Sequence, residues 1–188
     1  MSLDLELNQP SENIIQVGIV IGDVYTGHVH EKKDWIIYVP EVTDPINPFI
    51  TQLTTITQEM VNGGVLLTEA YKEMTELYHK HNCTLNFVTW GGGDHKALRK
   101  QLYDLWEQIG NGEYLAWEYG HREFDVKTVF LACAMAQKLK VRSGLAKSMT
   151  RVGMAFKGTK HWAPDDAENT FLLLVHLLKR LPKDVLLK

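Results

Sequence analysis

Cysteine is scarce in this chain of 188 residues, with only Cys83 and Cys133. Neither belongs to a CxxC pair or a His/Cys cluster of ligand spacing, which argues against a zinc site or a disulfide scaffold. Both lie in apolar surroundings and read as buried thiols of a reducing compartment, so a cytoplasmic location is expected. No run of about 18 apolar residues occurs, and no membrane span is expected. No basic-then-apolar leader is visible, so no secretory signal is expected either. Repeats, low-complexity tracts and linker-like stretches are also missing. With 45% hydrophobic and 23% charged residues, the composition suits one α/β domain over residues 1–188 with a sizeable core.

The last absence concerns charge. Not one acidic residue lies between Asp125 and Asp165, an interval that holds Lys127, Lys138, Lys140, Arg142, Lys147, Arg151, Lys157 and Lys160. The formal net charge is −3, so the remainder of the chain is acidic. A basic strip in an acidic protein is a docking surface for a polyanion; a solvated helical face is the plainer account.

What is present begins with Leu3-Asp4-Leu5-Glu6-Leu7. Strict alternation marks a half-buried strand, with the leucines facing a core and Asp4 and Glu6 sharing the other face about 6–7 Å apart. Two carboxylates that close repel unless a cation or a proton intervenes, although an edge strand with acidic side chains would look the same. Ile14 to Ile21 reads as a buried second strand and Trp35 to Val39 as a third, stopped by Pro40, the three forming an antiparallel meander. Pro45 and Pro48 keep the next stretch extended. A short helix follows over 54–61, with Thr57 able to cap its last part, and a longer one starts at Thr68. Thr84 to Trp90 is a fourth strand and Tyr114 to Tyr119 a fifth. Helices are expected over 125–138, 144–152 and 165–181. The succession predicts a mixed five-stranded sheet, three antiparallel strands and then parallel ones, flanked by helices.

Asp94 follows Gly91-Gly92-Gly93 where a helix starts. A helix cap accounts for the Asp, but three glycines exceed what a cap requires and leave room for a nucleotide or another chain. Lys96, Arg99 and Lys100 on that helix are available for phosphates. His161-Trp162-Ala163-Pro164-Asp165-Asp166 opens the last helix, where proline and acids are favoured. His161 is either a surface histidine or a base on a mobile loop, since imidazole titrates near neutrality.

The order Asp4-x-Glu6, Asp94, and His161 followed five residues later by Asp166 resembles the DEDDh family of 3′-to-5′ exonucleases, relatives of polymerase proofreading subunits with the ribonuclease H-like fold. Leu53 to Val61 looks like the family's Leu-Thr-Gly-Ile-Thr-Gln segment, with Thr55 in place of the glycine. Thr89 to Asp94 is similar to its second motif, and Gly144 to Gly158 with His161 to Asn169 to its third. The first motif continues as Leu7-Asn8-Gln9, a departure that bears on sugar contacts. The resemblance covers nearly the whole chain.

It implies hydrolysis of phosphodiester bonds from the free 3′ end of single-stranded RNA or DNA, releasing nucleoside 5′-monophosphates. Asp4, Glu6, Asp94 and Asp166 would hold two Mg²⁺ or Mn²⁺ ions, for which oxygen ligands are suited. His161 would take the proton from the attacking water. Leu5 would offer a main-chain contact near the terminal hydroxyl and Leu53 a wedge against the last base, with Thr54, Trp90 and Gly91 as further substrate contacts. The Trp90-Gly91 form of the second motif leans toward RNA. A ribonuclease H-type endonuclease has similar acids but lacks the His-x4-Asp ending. A non-catalytic nucleic-acid-binding module would keep the basic strip while losing ligands. Oligomeric state is not readable from the sequence.

Overall fold

Alternation in β1 (Ser2–Leu7) sets how the molecule is layered. Leu3 and Leu5 are buried on one face, while Asp4 and Glu6 leave by the other. The structure, a computed structural model, describes residues 1–84, 86–109 and 117–180. β2 (Ile14–Gly22) pairs antiparallel with β1, and β3 (Val29–Ile36) antiparallel with β2. The chain then passes through helices α1 (Pro48–Thr54), α2 (Gln58–Asn62) and α3 (Leu67–Lys80). β4 (Phe87–Thr89), α4 (Asp94–Ile109) and β5 (Glu123–Asp125) follow, both strands running parallel to β1. The chain continues through α5 (Val126–Ala136), α6 (Leu145–Arg151) and α7 (Ala163–Leu178). The strand order β3-β2-β1-β4-β5 puts the acidic strand at the centre of the five-stranded sheet.

Each face of the sheet has its own apolar layer. Leu3, Leu5, Val17, Ile19 and Trp35 pack with Tyr71 and Met74 of α3 and Leu98 and Leu102 of α4. On the opposite face Val20 meets Ala167, Phe171 and Val175 of α7, and Val88 meets Leu173 and Leu174 with α5 and α6 behind them. β2, covered on both sides, is apolar along almost its whole length, as a doubly buried strand must be. Full burial of one such aliphatic side chain stabilises the fold by about 1.5–3 kcal/mol.

Several boundaries differ from the sequence expectation, each for a physical reason. The third strand begins at Val29 rather than Trp35, because the charged run His30–Lys33 forms the solvent side of an edge strand, where lysines discourage further pairing. The helix expected over 54–61 is two helices. Pro48 starts the first instead of extending the chain, with the Asn47 side chain accepting from the Phe49 N–H (2.9 Å). Thr57 caps the second through the Met60 N–H (3.2 Å). Of the fifth strand expected at Tyr114–Tyr119, residues 114–116 lie outside the described residues and 117–119 are not strand. Tyr119 instead fills the core beside Phe87, ring centroids 4.6 Å apart, and β5 forms later at Glu123–Asp125. Leu181, the expected end of the last helix, is likewise outside the described residues, and α7 ends at Leu178.

Candidate active site

The acids converge where three elements end beside β1. Asp4 pairs across the ladder with Gly18 of β2. At Gly18 the start of α7 presses onto the strand: a Cβ there would lie 2.2 Å from the Ala163 carbonyl carbon and the Pro164 nitrogen. Buried Gln16, two residues away, accepts from the Ala163 N–H (3.1 Å) and donates to Asp34 (2.8 Å). A strand side chain thus satisfies one of the free donors that every helix start exposes. Docked this way, α7 brings Asp166 in its first turn against Asp4 and Glu6.

The loop before α7 is tied to that helix. Asn169, fully buried, accepts from the Lys157 N–H (2.9 Å) and donates to the Lys157 carbonyl (2.8 Å). Asp165 accepts from the Thr159 N–H (2.7 Å) and pairs with Lys32 of β3 (2.5 Å), which it shares with Glu168. His161 adopts a left-handed backbone (φ 59°), and its N–H donates to Asp166 Oδ2 (3.1 Å). The segment before α7 is thus hydrogen-bonded to that helix at Lys157, Thr159 and His161. One ligating atom each from Glu6, His161 and Asp166 lies within 4.8 Å of the others.

Asp94 arrives by a different device. Gly91, Gly92 and Gly93 all have positive φ (93°, 73° and 120°), so this loop curls as only glycine does readily. It curls around two carboxylates of β5. The Gly91 N–H donates to Asp125 (2.8 Å), and the Gly93 N–H to Glu123 (3.1 Å). A Cβ on Gly92 would stand 2.8 Å from Glu123 Oε1. Glu123 also accepts from Thr89 Oγ1 (3.2 Å) and faces Nδ1 of the buried His95 (3.0 Å). The loop thus serves the protein's own acids, through the Gly91 and Gly93 N–H groups and the close approach at Gly92, and of the three only Gly93 has open space where a side chain would stand.

Crowding shows in the titration of the acids. Burial, then Asp94, Asp166 and Glu6, holds Asp4 well above the carboxylate range. Glu6 is pushed up to about 8 by burial and by Asp166 and Asp94. Asp94 is pushed up to about 7 by burial and Glu123. Asp166 is raised by burial, against the opposing pull of the His161 N–H, the His161 ring and Lys160. Among the described residues no lysine or arginine forms a salt bridge with any of the four. Crowded oxygens that repel one another and form no salt bridge to a lysine or arginine fit a hard divalent ion.

Because these folded-state pKa values are raised, the native state holds its protons more tightly than the unfolded chain. Metal-free stability is therefore complete below the ordinary carboxylate range and falls as pH rises through about 7 to 8. We expect thermal unfolding in chelator to show a loss of at least about 2 kcal/mol between pH 5 and pH 8. Mg²⁺ or Mn²⁺ should recover most of it at pH 8 and little at pH 5. A flat profile, or equal recovery at both, would contradict this account.

The residues expected at the substrate have mixed fates. Leu5 sends its side chain into the core, leaving only its main chain for a substrate; the parallel pairing of β1 with β4 is confined to Ser2 and Val88 and stops short of it. Leu53 is 38% exposed, four residues after Phe49 at 63%, so α1 presents two apolar side chains on one face. Thr54 is buried, and its hydroxyl is consumed within the protein by the Ile50 carbonyl (2.8 Å) and the Ile56 N–H (3.1 Å), which removes it from the expected contacts. Trp90 packs toward Phe130 (6.3 Å) in the α5–α7 layer, while Gly91 is exposed. Of the basic strip, Arg142, Lys147 and Lys160 line a cavity of 340 Å³ that also includes His161 and Asp166.

Thr55, the departure from Leu-Thr-Gly-Ile, occupies the left-handed region (φ 67°) at the end of α1, its N–H bonded to the Thr51 carbonyl (2.8 Å). That conformation costs a non-glycine residue about 1–2 kcal/mol, partly offset by the lower entropy of the threonine backbone when unfolded. Thr55→Gly should therefore stabilise by about 0.5 kcal/mol, raising Tm by about 1–2 °C in calorimetry. A fall in Tm would show that the threonine side chain earns its place by contacts.

Sequence reasoning missed Glu123, His95, Gln16 and Gly18, each of which acts by holding a catalytic candidate in place, and it had Asn169 only as the end of the third motif, with no role. The only advance signal was weak: a polar residue and a glycine inside the apolar run of β2.

A model of the RNase_T exonuclease family matches residues 2–174. ERI1 exoribonuclease 2 from mouse (Mus musculus) is 25% identical over 181 residues, covering 90% of this chain and 26% of that protein. Its human counterpart (Homo sapiens) is 27% identical over 180 residues with the same coverage. The chain thus spans about a quarter of the length of these relatives. Among solved structures, the nuclease domain of 3′hExo, a DEDDh family member bound to rAMP, superposes with a TM-score of 0.71 at 18% identity, covering 94% of this chain and 90% of that one.

Proposed function

Since this chain belongs to the RNase_T exonuclease family, we propose that it is a divalent-metal-dependent hydrolase that shortens single-stranded RNA from a free 3′ end. The observation that carries this reading is the convergence of Glu6, Asp166 and His161 within 4.8 Å, beside Asp4 and Asp94. Asp4, Glu6, Asp94 and Asp166 would hold Mg²⁺ or Mn²⁺. Such ions, when bound, would make a water easier to deprotonate near neutral pH and would offset the charge developing on the leaving 3′ oxygen. His161 accepts the proton of the attacking water, and for that its imidazole must be neutral. The His161 N–H bond to Asp166 ties the ring's backbone to a ligand, so base and metal site are positioned together. Water attacks phosphorus, the 3′ oxygen of the penultimate nucleotide leaves and is protonated, and a nucleoside 5′-monophosphate departs. Leu53 and Phe49 form an apolar surface against which a terminal base can stack. Arg142, Lys147 and Lys160 neutralise phosphates at the cavity beside His161.

The preference for RNA rests on the Trp90-Gly91 motif and on the exoribonuclease relatives, and a structural neighbour of this chain holds rAMP. As part of the same proposal we place the protein in the cytoplasm, where its free Cys83 and Cys133 stay reduced. End-labelled single-stranded RNA and DNA, with free or phosphorylated 3′ ends, should be incubated with Mg²⁺, Mn²⁺ or chelator. A ladder of RNA shortened from the 3′ side, monophosphate release and silence in chelator are expected. Cutting of a circular RNA, or undiminished cutting in chelator, would overturn the reading. Faster digestion of DNA would overturn the choice of RNA.

A further inference from the structure

We propose that the groove between α4 and residues 117–121 is a second nucleic-acid site, which grips single-stranded RNA upstream of the bond being cut. The inference rests on the exonuclease reading for the identity of the polymer. The groove is a cavity of 420 Å³ lined by Lys96, Arg99, Tyr103, Trp117 and His121 among others, a volume within the roughly 300–1,000 Å³ of ligand-binding sites. It is built on the helix that Asp94 opens: Lys96 and Arg99 lie two and five residues beyond Asp94, about 3 and 7 Å along the axis at 1.5 Å per residue and on the other side of the helix from it.

Its charge suits a polyanion. Lys100 is paired with Asp104 (2.7 Å), but among the described residues neither Lys96 nor Arg99 forms a salt bridge. Arg99 Nη1 instead donates to Nδ1 of His121 (2.7 Å), a bond that orients the guanidinium without a carboxylate to cancel its charge. The wall opposite is aromatic and fixed. Trp117 packs edge-on against Tyr119 (5.2 Å, 72°), and its Nε1 donates to the Gly120 carbonyl (3.4 Å). An indole held that way is a stacking platform that is already ordered before a base arrives. The groove is also joined to the active site: buried His95 faces Glu123 through Nδ1 and the His121 carbonyl through Nε2 (3.3 Å), and Glu123 holds the loop that carries Asp94. Cations beside a rigid ring are the usual means of holding single strands without reading their sequence.

The test is the double variant Lys96→Gln/Arg99→Gln, assayed on a long single-stranded RNA and on a dinucleotide. For the long RNA, KM should rise about tenfold with kcat unchanged; the dinucleotide, too short to reach the groove, should be cut as by wild type. Binding of an RNA whose last linkages are phosphorothioates should lose about 1.4 from the slope of log affinity against log salt, as two single-strand phosphate contacts predict. Equal KM and equal salt slope in variant and wild type would overturn the proposal, as would a wild type that binds no RNA. Failure of the exonuclease reading looks different: wild type that binds RNA, with the slope lost in the variant, yet cuts neither substrate.

Discussion

Asp4→Asn and Asp166→Asn should each abolish cleavage, by at least about 10³-fold, while leaving the fold intact. A loss of that size corresponds to about 4 kcal/mol of transition-state stabilisation at 1.36 kcal/mol per tenfold. It is the scale expected when a ligand oxygen is removed from an ion that must generate the nucleophile and stabilise the leaving group. The fold should survive because Asp4 contributes repulsion: its carboxyl is held well above the usual range by burial and by Asp94, Asp166 and Glu6. Asparagine keeps the shape and removes the charge. In chelator at pH 8 the Asp4→Asn protein should therefore unfold at the same temperature as wild type or higher, and it should gain less on adding Mn²⁺. Calorimetry with and without metal, beside the ladder assay, separates the outcomes. Near wild-type cleavage by either variant would remove it from the metal site.

For His161→Ala the expected loss is about 10²–10⁴-fold in kcat, the range for deleting a general base. Substrate affinity should change little, since the imidazole acts on water rather than on the nucleic acid. His161 also lies within 4.8 Å of Glu6 and Asp166, close enough to act as a ligand. Metal titration distinguishes the two roles. A base leaves the Mn²⁺ affinity of the alanine variant near that of wild type, whereas a ligand would weaken it about in step with activity. Unchanged kcat would exclude both.

The further groove and the 340 Å³ cavity lie at different elements around the same acids. One is lined by α4 and residues 117–121, the other by Arg142, Lys147 and Lys160 next to His161. The acidic centre, which alone would repel a polyanion, thus has basic surface beside Asp166 and a second basic surface on the helix that Asp94 opens. Salt should weaken binding steeply, and replacing Arg142, Lys147 and Lys160 by glutamine should act on a part of that dependence separate from that of Lys96 and Arg99.

Much of this was legible before any coordinates, because it depends on local rules. Alternation over Leu3–Leu7 separates core leucines from paired acids, as the strand period of two requires. The order of Asp4, Glu6, Asp94, His161 and Asp166 carries the family resemblance from which the chemistry was expected, and Thr57 and the acids opening α7 follow capping and dipole preferences. What tertiary structure alone decided is how far-separated segments hold one another. That Gly18 admits α7, that Gln16 and Asn169 secure its approach, and that Glu123 fastens the Gly91–Gly93 loop depend on contacts between residues up to 147 positions apart. Such contacts leave no periodic trace in a sequence, since a polar side chain buried for a distant partner looks like an interruption until the partner is seen. The same reason hid the edge strand at His30–Lys33 and consumed Thr54 inside its own helix. Residue types set which atoms do the chemistry; packing set which of them meet.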